Sequence, residues 1–337
     1  MDALEFIKAQ LRTLPIVPTR ESCTRGTYIV TGSNGGIGLE AVKHLVALGA
    51  SRVIIAVRSV QKGEAAKREI EKTTGITGVA EVWQLDMASI ASIRAFAERA
   101  KRDLERIDAL VENATAALDS WTVSEGMETS VMVNVVGTAL LTLLLMPKMK
   151  ESAKATKTAP HIVVVTSGLA FSHPDVLRLV DDDIFDALNE EGRSDIRVRH
   201  AGPPYAVSKL IQIFAIRQLA SLAPVSQTGV VVNLLSPGLC NTGLARHARL
   251  LFRIQVRLLN LALGRTPEMG SRTILHALAA GTASHGEYIS DCEIKDHWVP
   301  EWAKDSSGQR YQKLIWDQLV ARLEKIEPGL VQSALSV

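Results

Sequence analysis

Tyr205 and Lys209 stand four apart in Tyr205-Ala206-Val207-Ser208-Lys209, a spacing that puts a phenol and an ammonium on one face of a helix. Such a pair suits proton transfer, because a tyrosine with a pKa near 10 is a reluctant acid at neutral pH and a neighbouring cation favours its phenolate. With four tyrosines in 337 residues, chance alone supplies roughly 0.2 Tyr-x-x-x-Lys pairs, so position must carry the argument. The pair opens an apolar helical pattern (Leu210, Ile213, Phe214, Leu219), and the strand signal before it ends in Val165-Thr166-Ser167. Ser167 thus sets a hydroxyl at a strand's carboxyl edge, where open α/β sheets hold their ligands.

A second cluster lies near the start. The first strand signal runs into Thr31-Gly32-Ser33-Asn34-Gly35-Gly36-Ile37-Gly38 and then a helix. Glycine there permits a tight turn, lets backbone approach a pyrophosphate, and packs the helix close to the strand, while the helix N-terminus faces the anion. Gly32, Ser33, Asn34, Gly36, Ile37 and Gly38 are therefore candidate dinucleotide contacts. The spacing Gly32-x-x-x-Gly36-x-Gly38 differs from G-x-G-x-x-G, which points to a related but distinct dinucleotide fold. Where a NAD site carries an acid for the ribose 2′-hydroxyl, this chain reads Ala56-Val57-Arg58. The planar fork of Arg58 suits a 2′-phosphate, so NADP(H) is preferred to NAD. Asp86, at the end of the third strand, has two readings: a contact to the adenine edge, or a helix N-cap before Met87.

The elements that must position these residues are legible as an alternation. Thr27–Thr31, Val53–Val57, Val79–Leu85, Ala109–Val111, Ile162–Thr166 and Val230–Leu234 read as strands, with helical patterns at Gly36–Leu48, Lys62–Lys72 and Ile90–Leu104 among those between them. Continuous Val/Ile runs predict a parallel sheet covered on both faces. The fold class is α/β: a single doubly wound Rossmann-type domain with a central parallel sheet and helices on both faces.

In their order along the chain, Thr31-Gly32-x-x-x-Gly36-Ile37-Gly38, Leu85-Asp86, Asn113-Ala114, Asn134-Val135-Val136-Gly137, Ser167, Tyr205-x-x-x-Lys209 and Asn233-x-x-x-Pro237-Gly238-x-x-x-Thr242 resemble the short-chain dehydrogenases/reductases. Ala56-Val57-Arg58, Ile184 to Asn189 and Gly286 to Cys292 look like the retinol dehydrogenase branch and its fungal secondary-metabolism relatives. The resemblance implies a carbonyl reductase in which Tyr205 is general acid/base, Lys209 lowers the pKa of Tyr205 and reaches the nicotinamide ribose, and Ser167 hydrogen-bonds the carbonyl oxygen as charge develops on it. It further implies that Asn134 shapes a helix kink holding a water of a proton relay, that Asn113 lies at the cofactor, and that Pro237, Gly238 and Thr242 wrap the nicotinamide end. Two positions depart from the family pattern. Glu112 stands for an amide and must find a donor or take up a proton; Thr115 stands for glycine and adds bulk beside the cofactor.

A domain of this kind leaves a surplus: an N-terminal helical extension (1–26), an insert at about 171–204, and a C-terminal helical tail (291–337), around a catalytic domain spanning 27–290. At about 239–265 the pattern suggests a substrate lid, with Leu250, Leu251, Ile254, Leu258 and Leu261 on one helical face and Arg246, Arg249, Arg253 and Arg257 as a basic stripe. The preferred substrate is a medium-sized lipophilic ketone or aldehyde, possible in a biosynthetic pathway; a peripheral membrane contact through this helix is the less favoured reading. A non-catalytic dinucleotide sensor, and the same fold used for epimerisation or cyclisation, stay open. A homodimer is compatible with the sequence.

Composition narrows the classes. Basic residues number 38 and acidic ones 36, which leaves no global field for nucleic acid, and the basic stripe lacks the aromatic platforms and wider patch that nucleic-acid binding would need. Cys23, Cys240 and Cys292 show no pairing or metal-ligand spacing, so no metal is expected and a reducing, cytoplasmic setting is. The start Met-Asp-Ala-Leu-Glu does not read as a signal peptide, and the apolar stretch Val131 to Met146 reads as a buried helix. The sequon Asn113-Ala114-Thr115 follows a strand signal and is expected inside the fold.

Overall fold

The Val- and Ile-rich runs become one eight-stranded sheet in the computed structural model, which describes residues 3–118, 121–189, 203–244 and 250–336. Its strands are β1 (Thr27–Thr31), β2 (Arg52–Val57), β3 (Ala80–Gln84), β4 (Ala109–Glu112), β5 (His161–Val165), β6 (Val231–Ser236), β7 (Tyr288–Ser290) and β8 (Glu293–Ile294). Across the sheet the order is β8-β7-β6-β5-β4-β1-β2-β3, parallel throughout except for the β7/β8 hairpin. The sequence order therefore reverses between β1 and β4, the position at whose carboxyl ends open α/β sheets hold their ligands.

Alternate residues of each strand face opposite layers. Val30 and Ile55 join a core with α2 (Gly36–Ala47), α3 (Val60–Thr74) and α8 (Pro267–Ala279). Ile29 and Ile54 join the other, with α4 (Ile90–Asp103), α5 (Thr138–Thr156) and α6 (Pro204–Leu222). Both layers bury their strand residues almost completely, which is why the runs are continuous in Val and Ile rather than alternating with polar residues.

The long apolar stretch is a core helix. Thr129–Thr156 is long and apolar enough to cross a membrane, but 94% of its most apolar window is buried inside the fold. Its early part, Met132–Gly137, winds as a π-helix; a Cβ on Gly137 would meet the Met87 carbonyl oxygen at 2.7 Å, so only glycine admits that close approach.

The surplus segments are tied down. In the N-terminal extension, α1 (Ala3–Leu11) is followed by a fully buried Leu14. At the other end, α9 (Ser306–Ile326) packs on α6 and α10 (Leu330–Leu335) on α5. The insert forms 3-10 turns over Pro174–Asp182 and a short helix over Ile184–Asn189, held to α9 by Arg322, which pairs with Asp183 at 2.8 Å. Residues 190–202 of that insert lie outside the described residues.

Candidate functional site

The glycine-rich turn owes its shape to close contacts that side chains would spoil. Gly32 (φ 66°) lies so near Ala114 that a Cβ would come within 2.8 Å of the Ala114 Cα, and Gly38 abuts the Asn113 amide, where a Cβ would meet Nδ2 at 2.5 Å. Gly36 (φ 59°) faces Thr242, whose Cγ2 is 3.5 Å from the position of a Cβ there. Thr242 is thereby brought to the loop. Helix α2 starts at Gly36 with no side-chain cap on its first amides and no acid in its first turn. Free amides and the helix dipole at a cradle without Cβ atoms fit a dinucleotide pyrophosphate.

Not every loop residue faces that cradle. The Ser33 hydroxyl is fully buried and donates to the Val30 carbonyl oxygen at 2.8 Å, which leaves only its backbone for an anion; Asn34 is exposed. The Asn113 side chain, expected at the cofactor, is turned onto the loop: Nδ2 donates to Thr31 O at 2.8 Å and to Gly32 O at 3.3 Å. It holds the cradle from behind, where Asn113, Ala114 and Thr115 of the sequon are half-buried. Ile37 packs against the layer of α2 and α8.

Arg58 is exposed just past the carboxyl end of β2, beside the loop. Asp86 does not cap a helix before Met87; the cap of α4 is Ser89, and Asp86 Oδ1 accepts from Ala88 N at 3.0 Å in a local turn.

The proton-handling residues converge at the carboxyl edge of β5 and β4. Ser167 follows β5, and its hydroxyl both accepts from Leu169 N at 3.3 Å and hydrogen-bonds the Tyr205 phenol. Burial pushes Tyr205 up to about 12, and the Ser167 hydrogen bond opposes it. This corrects the expectation that Lys209 brings the phenol down: its Nζ is 6.0 Å from the Tyr205 ring centre, and its own burial drives it down to about 7. Lys209 Nζ donates to Val165 O at 2.8 Å and to Gln212 Oε1 at 3.1 Å.

Asn134 sits fully buried in the π-helical segment. Its Oδ1 accepts from Thr115 Oγ1 (2.8 Å) and Ala116 N (2.9 Å), while Nδ2 donates to Ala116 O and Ser208 Oγ, both at 2.9 Å. Ser208 in turn donates to Tyr205 O at 2.8 Å. Thr115, expected to add bulk at the cofactor, thus has its hydroxyl turned toward Asn134. Glu112 finds only a long bond, 3.4 Å from Thr31 Oγ1, and its Oε1 has no partner among the described residues. Burial holds its carboxyl well above the usual carboxylate range, against the Thr31 hydrogen bond and the attraction of Lys209.

Pro237 and Gly238 are braced by contacts invisible in their motif. The buried side chain of Gln10, on α1, donates from Nε2 to Leu239 O and Leu263 O, both at 3.0 Å, and its Oε1 accepts from Leu239 N at 3.1 Å. A buried Arg265, ion-paired with Asp291, donates to Pro237 O at 3.1 Å and to Ala9 O at 2.5 Å. The suggested lid forms helix α7 (Leu250–Leu263), with Leu258 and Leu261 exposed at 63% and 77%, and it touches α1. Arg257 is exposed; Arg246 and Arg249 lie outside the described residues, as do the side chains of Leu250, Leu251, Arg253 and Ile254. No group of three or more His, Cys, Asp or Glu residues able to hold a metal occurs among the described residues.

A family model described as short chain dehydrogenase matches residues 27–177. The chain is similar to the short chain dehydrogenase/reductase dmxR8 of Cryptosporiopsis sp. (strain 8999), at 39% identity over 332 residues, covering 97% of this chain and 99% of that protein. It is likewise similar to the short chain dehydrogenase atnD of Emericella nidulans, at 38% over 294 residues, 85% of this chain and 90% of the other. Among solved structures, the L-sorbose reductase of Gluconobacter frateurii, complexed with NADPH and L-sorbose, shares the fold with a TM-score of 0.59 at 18% identity, over 79% of this chain and 95% of that one. A metagenomic short-chain oxidoreductase in complex with NADP does so with a TM-score of 0.54 at 21% identity, over 80% and 96%. Similarity that runs nearly end to end with proteins of one kind, on a sheet and a site of this form, places the chain in the short-chain dehydrogenase/reductase family of oxidoreductases.

Proposed function

We propose that this protein is an NADPH-dependent carbonyl reductase, reversible as an alcohol dehydrogenase, acting on a medium-sized lipophilic ketone or aldehyde. The observation that carries the reading is the meeting of Ser167, Tyr205 and Lys209 at the carboxyl edge of β5, beside a glycine loop fit for a dinucleotide. The bound nicotinamide supplies the hydride. Tyr205, kept protonated at neutral pH by its burial, gives its O–H proton to the carbonyl oxygen. Ser167 donates a hydrogen bond to the same oxygen as negative charge collects there. Lys209, anchored on Val165 O, would reach the nicotinamide ribose of the bound cofactor.

Arg58 supports NADP(H) over NAD(H), since an exposed guanidinium at the end of β2 suits a 2′-phosphate and no acid stands there to hold a 2′-hydroxyl. Exposed Leu244, Leu258 and Leu261 support a lipophilic substrate. The fungal origin of its relatives supports a place in a fungal biosynthetic pathway, and three unpaired cysteines support a reducing, cytoplasmic setting. Following NADPH absorbance against a panel of ketones and aldehydes, with NADH as control, tests the reading: turnover of lipophilic carbonyls with NADPH supports it, and equal use of both cofactors removes the Arg58 argument.

A further inference from the structure

The Asn134 carbonyl and the Lys209 ammonium are joined by a side chain. Gln212 lies three residues beyond Lys209 on α6, on the helix face that carries Tyr205, and is 1% exposed. Its Oε1 accepts from Lys209 Nζ at 3.1 Å and its Nε2 donates to Asn134 O at 2.6 Å. We infer that Gln212 is a positioning residue that fixes the Lys209 ammonium against α6 and closes the path from that ammonium to the Asn134 carbonyl to protons.

The inference rests on the reading of Tyr205 and Lys209 as the proton-handling pair. A primary amide accepts one hydrogen bond and donates another, but passing a proton would force it through a protonated or imidic-acid form, whereas a water conducts by exchanging its own protons. A buried ammonium also needs acceptors. Val165 O and Gln212 Oε1 take two of its three N–H groups and leave one for the side of the site where Tyr205 stands. The titratable groups that face Lys209 are Glu112, from β4, and Tyr205, from its own helix. Glu112 acts on it through charge alone, with no hydrogen bond between them, so the neutral amide of Gln212 is the side-chain acceptor within hydrogen-bond reach.

The test uses two variants of the full chain. Gln212→Met keeps the volume and removes both hydrogen bonds; Gln212→Glu keeps the shape and introduces a carboxylate, and serves should the methionine variant fail to fold. Nitrogen-15 lysine NMR of the cofactor-free protein reads the Lys209 titration, which burial drives down from the ordinary lysine range. The methionine variant should lower it by about one pH unit and the glutamate variant should raise it by about as much. The pH dependence of kcat should move in the same directions, with kcat of the methionine variant about tenfold lower near neutral pH. Lys209 titrating as in the parent in both variants overturns the inference. The NMR arm needs no turnover, so it separates failure of this inference from failure of the catalytic reading beneath it.

Discussion

Gln10 grips Leu239 at both ends of its peptide unit pattern, donating to its carbonyl oxygen at 3.0 Å and accepting from its N–H at 3.1 Å across 229 residues of sequence. The N-terminal extension is thereby part of the floor under Pro237-Gly238. A Cβ on Gly238 would meet Gln10 Oε1 at 2.2 Å, so the loop and the glutamine fit each other closely. Replacing Gln10 with Ala leaves the half-buried Leu239 N–H without this partner, while its carbonyl keeps the Arg265 N–H, which costs about 1–3 kcal/mol. Thermal melts should show a lower Tm, and the KM for NADPH should rise about tenfold. An unchanged KM together with a lowered Tm would confine Gln10 to stability.

Glu112 makes a pH-dependent contribution whose sign follows from its burial. Its folded pKa is raised above the ordinary 4.5, so the native state holds a proton that the unfolded chain releases, and stability is lost as pH rises from about that value through the raised one. Glu112→Gln removes this loss. The variant should match the parent near pH 4 and exceed it by roughly 1 kcal/mol or more at pH 8 in urea titrations; curves parallel at all pH values would show that the carboxyl finds compensation on ionising.

His161 works in the opposite direction. Buried at the start of β5 with Nε2 unpartnered among the described residues, it is pushed down to about 4 by burial, against a backbone hydrogen bond with Ala159. Its folded pKa is below the unfolded 6.5, so stability is lost as pH falls from about 6.5 to about 4. His161→Val should flatten that part of the stability profile while leaving the alkaline side alone, as measured by the same urea titrations. A slope persisting in the variant would assign acid sensitivity to other groups.

Arg58→Asp should exchange cofactor preference. Losing a bidentate charge-assisted contact and placing an acid near the 2′-phosphate should lower kcat/KM for NADPH roughly 100-fold, while the value for NADH holds or rises. Steady-state kinetics with both cofactors checks this, and a preference unchanged from the parent would place 2′-phosphate recognition elsewhere.

The parts legible in the sequence share one property: they are fixed by local pattern. Runs such as Val53–Val57 and Ile162–Val165 are buried on both faces, so their composition alone announces a covered parallel sheet, and Gly32, Gly36 and Gly38 announce a turn that tolerates little else. What was not legible is set by contacts distant in sequence. Nothing in residues 1–26 says that Gln10 holds Leu239, or that Arg265 bonds Ala9 O while paired with Asp291. Asn113 and Thr115 were expected at the cofactor, yet the Asn113 amide and the Thr115 hydroxyl satisfy Thr31 and Asn134 instead. Lys209 was expected to depress Tyr205, but burial of both groups outweighs it. Gln212 does carry a signal: seven residues past Tyr205 and three past Lys209, it is a buried polar residue on the helix face of those two.

The central claim is that the Tyr205 phenol delivers the proton. Replacing Tyr205 with Phe removes one oxygen, and the Ser167 hydroxyl, Lys209 and the glycine loop keep their places. The account predicts that NADPH binding, read by fluorescence, persists within about threefold while carbonyl-dependent NADPH oxidation falls by at least about 1,000-fold. Turnover at the parent rate with the phenol gone would contradict it.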